Sequence, residues 1–181
     1  MKAGIRTVGF DDAPHTRPDG RVPVVGVHMR GSESVERVLL TDVARDGGDA
    51  TNRLARCYHE ADLPGVKAIL IDGAALAGFN VVDLAGLAAE CDVPTISVTK
   101  GVPDMVAMQA AIQHVPDAEA KWRILTDRPA VTWPMPEGGP ITVSWAGCDE
   151  AQARALLAAT TRRGHIPEPV RLAHLIARIA R

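Results

Sequence analysis

Two short apolar runs bracket a helical stretch within residues 66–100, and each run ends on an ionisable residue. The first, VKAILID, closes at Asp72 and Gly73, and the second, VPTISVTK, closes at Lys100. Runs of this length without polar alternation read as strands buried on both faces. Residues 81–90 between them read as a helix. The segment commits the chain to an α/β architecture. It also places a carboxylate and an ammonium at the C-terminal ends of two strands, where open α/β sheets carry their sites.

Residues 5–10 form another short apolar strand, stopping at Asp11 and Asp12. The Pro-, Gly- and Asp-rich stretch 13–20 reads as a loop. Residues 22–30 and 34–44 are rich in β-branched side chains and are joined through Gly31 and Ser32, a hairpin signal, so the first three strands form an antiparallel meander. A helical pattern opens at Asp49, placed to be its N-cap, with Leu54, Cys57, Tyr58 and Ala61 on one face. A strand over 93–98 is followed by a helix over 105–114, whose stripe of Met105, Met108, Ala111 and Ile112 reads as core. A linker over 128–140 carries four prolines and two glycines. The expected strand 141–145 pairs with 130–133, and helices over 150–162 and 167–179 complete a single domain.

Aromatic residues make up only 3% of the 181, so Val, Leu, Ile and Ala must fill the core. A formal charge of -2 gives no general reason for affinity to nucleic acid or membranes, and any such affinity needs a local patch. Cys57, Cys91 and Cys148 are too dispersed for a disulfide framework or a zinc site and read as reduced thiols. With no apolar run of membrane-spanning length and no signal peptide, the expectation is a cytoplasmic protein with no membrane partner. Its oligomeric state is left open. Three hairpin-linked strands followed by helix, strand, helix and strand make a mixed sheet flanked by helices, the ribonuclease H-like arrangement. There the first strand is central and lies beside the fourth.

Four blocks in order, GFDD, LIDGAALAGFNVVDLAGLA, VPTISVTK and IPEPVRLAHLIA, resemble endonuclease V. They resemble more closely an uncharacterised sister family of the same fold, domain of unknown function 99. The resemblance implies a metal-dependent nuclease with Asp11, Asp49 and Asp72 as metal ligands and Lys100 as a fourth catalytic residue. It implies Mg²⁺ or Mn²⁺ as cofactor and nucleic acid, DNA or RNA, as partner. Phosphodiester hydrolysis on such a fold uses converging carboxylates to hold one or two divalent ions. Hard oxygen ligands suit Mg²⁺ or Mn²⁺ better than zinc.

Each residue also has a plainer reading. Asp11 and Asp12 could open the turn before Pro14, Asp49 could cap its helix, Asp72 could mark a strand-to-turn junction, and Lys100 could be a solvated strand end. Arg171 and His174 lie one helical turn apart and fit either a phosphate contact or a packing role. Trp133 and Trp145 fit stacking on bases or packing. The chain departs from endonuclease V where that family has histidines, at Gly78 and at Gly147 or Cys148. It also departs at the lesion-opening wedge, replaced here by TDVARDGG, and at Asp49, one methylene shorter than the family's Glu. The alternative expectation is therefore a catalytically inactive member of the fold that binds nucleic acid or a protein.

Overall fold

The structure, a computed structural model, describes residues 4–16, 18–135 and 138–180. Residues 1–3, Arg17 of the expected loop and Pro136 of the linker lie outside the described residues. The elements run β1 (Arg6–Asp12), β2 (Arg21–Arg30), β3 (Ser34–Ala44), α1 (Ala50–Glu60), β4 (Val66–Asp72), β5 (Ala75–Leu76), β6 (Asn80–Val81) and α2 (Leu84–Cys91). They continue with β7 (Thr95–Lys100), α3 (Met105–Ile112), α4 (Ala118–Thr126), β8 (Val131–Trp133), β9 (Ile141–Ala146), α5 (Glu150–Thr160) and α6 (Glu168–Ala177). One seven-stranded sheet has the order β3-β2-β1-β4-β7-β9-β8. β1, β2 and β3 form the antiparallel meander, β1, β4 and β7 run parallel, and β9 returns antiparallel between β7 and β8.

β4 is covered on both faces, which explains its unbroken apolar run. Ala68 and Leu70 join Ile96 and Val98 under α5 and α6, packing against Ala153, Leu156 and Val170. Ile69 and Ile71 point to the opposite face, against Leu54 of α1 and Leu84 and Leu87 of α2. The approach of α6 to β1 depends on Gly9, where an added Cβ would lie 2.4 Å from the Pro169 backbone carbon. A side chain there would lift the helix from the sheet.

Three local expectations need correction. The helix expected over 81–90 begins only at Leu84, because residues 75–81 form the small β5–β6 hairpin, turned by positive φ at Ala77 and Gly78. Asp83 caps α2, accepting from the amides of Ala85 and Gly86. Helix α4 was not anticipated. It follows Asp117, held at φ 55°, and packs with α3 beyond the sheet. The α3 stripe is mostly not core: Ile112 is fully buried, but Met105 is 42% exposed and Ala111 is exposed as well. The helix packs chiefly against α4 and the β5–β6 hairpin, so only one edge of it finds apolar cover. Trp133 and Trp145 pack on each other at 5.7 Å, with the Arg154 guanidinium 4.0 Å over the Trp133 ring. All three cysteines are free.

Candidate metal centre

Parallel pairing places Phe10 opposite Ile71, so the residues that follow, Asp11 and Asp72, leave neighbouring strands side by side. Side-chain alternation points both toward the α6 face, the face on which Gly9 meets Pro169. α6 completes the group. His174 Nδ1 lies 2.7 Å from Asp11 Oδ2 and 4.0 Å from Asp72 Oδ2. Asp11, Asp72 and His174 each offer one ligand atom, all within 4.8 Å of one another. The acids expected at the ends of the first and fourth strands are therefore together.

Asp11 is 5% exposed. Burial, then the neighbouring Asp72 charge, push its carboxyl up to about 7, against the opposing hydrogen bond to His174. Asp72 is also raised, chiefly by burial. A buried carboxylate this close to a half-buried one disfavours their shared ionised state unless a cation joins them. Two carboxylate oxygens and an imidazole nitrogen form a mixed donor set able to hold a divalent ion. Because an imidazole is among the donors, the sequence-based argument against zinc from an all-oxygen set does not hold here.

Asp12 points to the other face. Its Oδ2 accepts from the Ala77 amide at 3.1 Å and lies 3.3 Å from His15 Nδ1. Lys100 lines the same cleft as Asp72 and His174, a concavity of about 230 Å³ closed by Ile166, Val170 and Leu175. Arg171 lines it too, with its guanidinium held 2.7 Å from Glu168.

The structure does not bring Asp49 into this group. Its Oδ1 accepts from the Ala44 amide at 2.9 Å and from Asn80 Nδ2 at 2.6 Å, and its Oδ2 from Arg21 at 3.2 Å. Burial alone would raise its pKa, but these donors together hold it below the usual carboxylate value. Asp49 precedes α1 as expected, yet its side chain makes no capping bond. Fully buried Asn80 takes that part, accepting from the Ala50 amide at 2.9 Å.

The residue that sequence reasoning left outside the metal set is His174. Its signal was present in the Ala-His of the PEPVRLAHLIA block, which carried the resemblance without being assigned a ligand. Gly78, where the resemblance expects a histidine, sits in a backbone conformation that favours glycine. A Cβ there would lie 2.3 Å from Asp46 Oδ1, and the backbone sits at φ 85°. Asp46 Oδ1 instead accepts from the Phe79 amide and fastens the hairpin tip.

Comparison with known proteins follows the same lines. The family described as endonuclease dU matches residues 3–181. A UPF0215 protein of Methanopyrus kandleri is 36% identical over 180 residues, covering 98% of this chain and 91% of that protein. The crystal structure of a protein of unknown function from Archaeoglobus fulgidus superposes with a TM-score of 0.84 at 30% identity, over 96% of each chain. Endonuclease V of Ciona intestinalis, solved in complex with DNA containing an inosine followed by a ribo-adenosine, gives a TM-score of 0.61 at 17% identity. That match covers 98% of this chain and 85% of the other. The fold is ribonuclease H-like. Among the described residues no helix is long and apolar enough to cross a membrane.

Proposed function

The chain belongs to the endonuclease dU family, and from that premise we propose that it is a divalent-metal-dependent endonuclease cutting DNA. The convergence of Asp11, Asp72 and His174 carries this reading. In it, Asp11 and Asp72 hold the ion and His174 either completes the ligand set or orients Asp11. A divalent ion held by these residues would make a water more acidic and offset negative charge on the phosphate. Where it is not itself a ligand, His174 Nδ1, 2.7 Å from Asp11 Oδ2, would hold that carboxylate in place by a hydrogen bond. Lys100, on the cleft wall, offers its ammonium to a phosphate oxygen. Hydrolysis forms one bond from water oxygen to phosphorus and breaks one from phosphorus to sugar oxygen. Asp49 is given no part in metal binding.

The dU of the family's description makes deoxyuridine-containing DNA the first substrate to test, with inosine-containing, undamaged and RNA strands beside it. Cleavage dependent on Mg²⁺ or Mn²⁺ and abolished in Asp72→Asn is the expected result. Well-folded protein that cuts none of these with either metal overturns the nuclease reading. It would leave the binding-only alternative, which the glycine at position 78 favours.

A further inference from the structure

β3 ends the sheet, and among the described residues no strand pairs with its outer edge. An unpaired strand of 11 residues is a template for another strand unless something closes it. The register shows which of its residues turn their backbone outward. Pro23, opposite Asp42, has no amide, and the Asp42 carbonyl accepts instead from Arg53 at 2.8 Å and Arg21 at 3.2 Å. The Ala44 amide likewise turns from β2, donating to Asp49 Oδ1 at 2.9 Å. Backbone groups in an antiparallel ladder alternate between its two sides, so those of Val38 and Leu40 also point outward. The two arginines close the edge at Asp42. At Val38 and Leu40 it is open.

The side chains at the opening are apolar. Val38 and Leu40 lie opposite Val27 and Val25, which lie opposite Gly9 and Asp11, so all share the face on which α6 packs. That helix covers β1, β2 and β4, leaving Val38 49% and Leu40 70% exposed. No lysine, proline or other guarding residue interrupts Val38, Leu39 and Leu40. On the other face α1 runs back along β3, from Arg53 at the Asp42 carbonyl to Ala61, whose carbonyl accepts from Arg37. The groove between them has its charges matched within the chain, Arg53 with Asp42 and Arg56 with Glu60. Two such grooves can approach without net repulsion.

We infer that β3 pairs antiparallel with β3 of a second copy about a two-fold axis through Leu39. An axis perpendicular to a sheet keeps every side chain on its own face, so Val38 of each copy meets Leu40 of the other. These are the residues with outward backbone groups, and each pair exchanges both of its hydrogen bonds. The open stretch is thus its own complement in hydrogen bonding, shape and lack of charge, which is what an isologous contact requires. A foreign strand could take the same bonds, but it would have to bring a matching apolar pair that this chain already supplies. Both α6 clefts would then open on one face of a continuous sheet. The inference does not depend on the nuclease reading.

Sedimentation velocity of the full-length protein over about 1–100 μM should show a species of twice the 19.2 kDa chain mass that dissociates on dilution. Hydrogen exchange locates the contact. The Val38 and Leu40 amides should exchange at least about tenfold more slowly at the high concentration than at the low one. Val38→Lys combined with Leu40→Lys crowds ammonium groups around the axis and should give monomer throughout, with unchanged circular dichroism because both positions are exposed. Leu40→Pro deletes an amide that the β2–β3 ladder does not use and should do the same without added charge. Wild-type protein that stays monomeric across the range overturns the inference. So does a dimer that survives both variants, or one in which the Val38 and Leu40 amides exchange as fast as in the dilute protein, since it would use another surface.

Discussion

Asp11 and Asp49 are both acids at the same end of one sheet, and they are in opposite electrostatic condition. Asp11 is buried beside a second carboxylate, and its carboxyl is raised to about 7. Asp49 accepts from a backbone amide, a side-chain amide and a guanidinium, and its pKa is lowered. One region is short of positive charge; the other has its donors in place. Uncompensated crowding of carboxylates, rather than the mere presence of an acid, separates a candidate metal site from a structural anchor.

The comparison is broken most directly by exchanging each acid for its amide. Asp72→Asn should cut nuclease activity by about 10²- to 10³-fold or more and weaken Mn²⁺ binding measured by calorimetry. Equal Mn²⁺ affinity in wild type and variant would return Asp72 to the role of a strand end. The pH dependence of the metal-free protein sharpens the contrast. Asp11 has a folded pKa above its unfolded value, so the folded state holds the extra proton between about pH 4 and 7 and loses stability as pH rises through that window. Asp49 is lowered, so its contribution is present above the unfolded pKa and is lost as pH falls below it. Urea midpoints of metal-free protein should therefore drop between pH 5 and 7.5, by an amount set by about 1.4 kcal/mol per pKa unit. Asp11→Asn should flatten that slope, and saturating Mn²⁺ should reverse it.

Gly9→Ala probes how the centre is assembled. Its Cβ meets the Pro169 backbone, so a loss of about 1–3 kcal/mol is expected in thermal melts, together with weaker Mn²⁺ binding as His174 moves away. A destabilised variant with unchanged Mn²⁺ affinity would show that His174 is not a ligand. The smallest effect belongs to Asp49→Asn, about 1–2 kcal/mol of stability with Mn²⁺ affinity unaltered. A fall in Mn²⁺ affinity there would bring Asp49 back into the metal set.

Much of this was legible before any coordinates. The apolar runs ending at Asp72 and Lys100 forecast β4 and β7, and the Gly31 turn forecast the meander. Boundaries slipped where tertiary contacts overrode pattern. The helix expected from residue 81 starts later, because Asp12 and Asp46 hold the Ala77 and Phe79 amides and fold residues 75–81 into a hairpin. The stripe on α3 has core-like residues without a surface to cover them. Asn80 gave no sign of capping α1, because the bond spans thirty residues of sequence.

The strand ends that carry Asp11 and Asp72 follow from the apolar runs of the sequence, and the likeness to the ribonuclease H arrangement put the first strand beside the fourth; the parallel pairing of β1 with β4 sets those ends side by side in the structure. His174 reaches Asp11 across 163 residues only because Gly9 lets α6 settle on β1. Asp49 is withdrawn from the centre only because Ala44, Asn80 and Arg21 reach its oxygens first. Which carboxylate is left wanting a cation depends on where competing donors lie in space. That distribution belongs to the packed molecule, since hydrogen bonds and burial act over ångströms rather than along the chain.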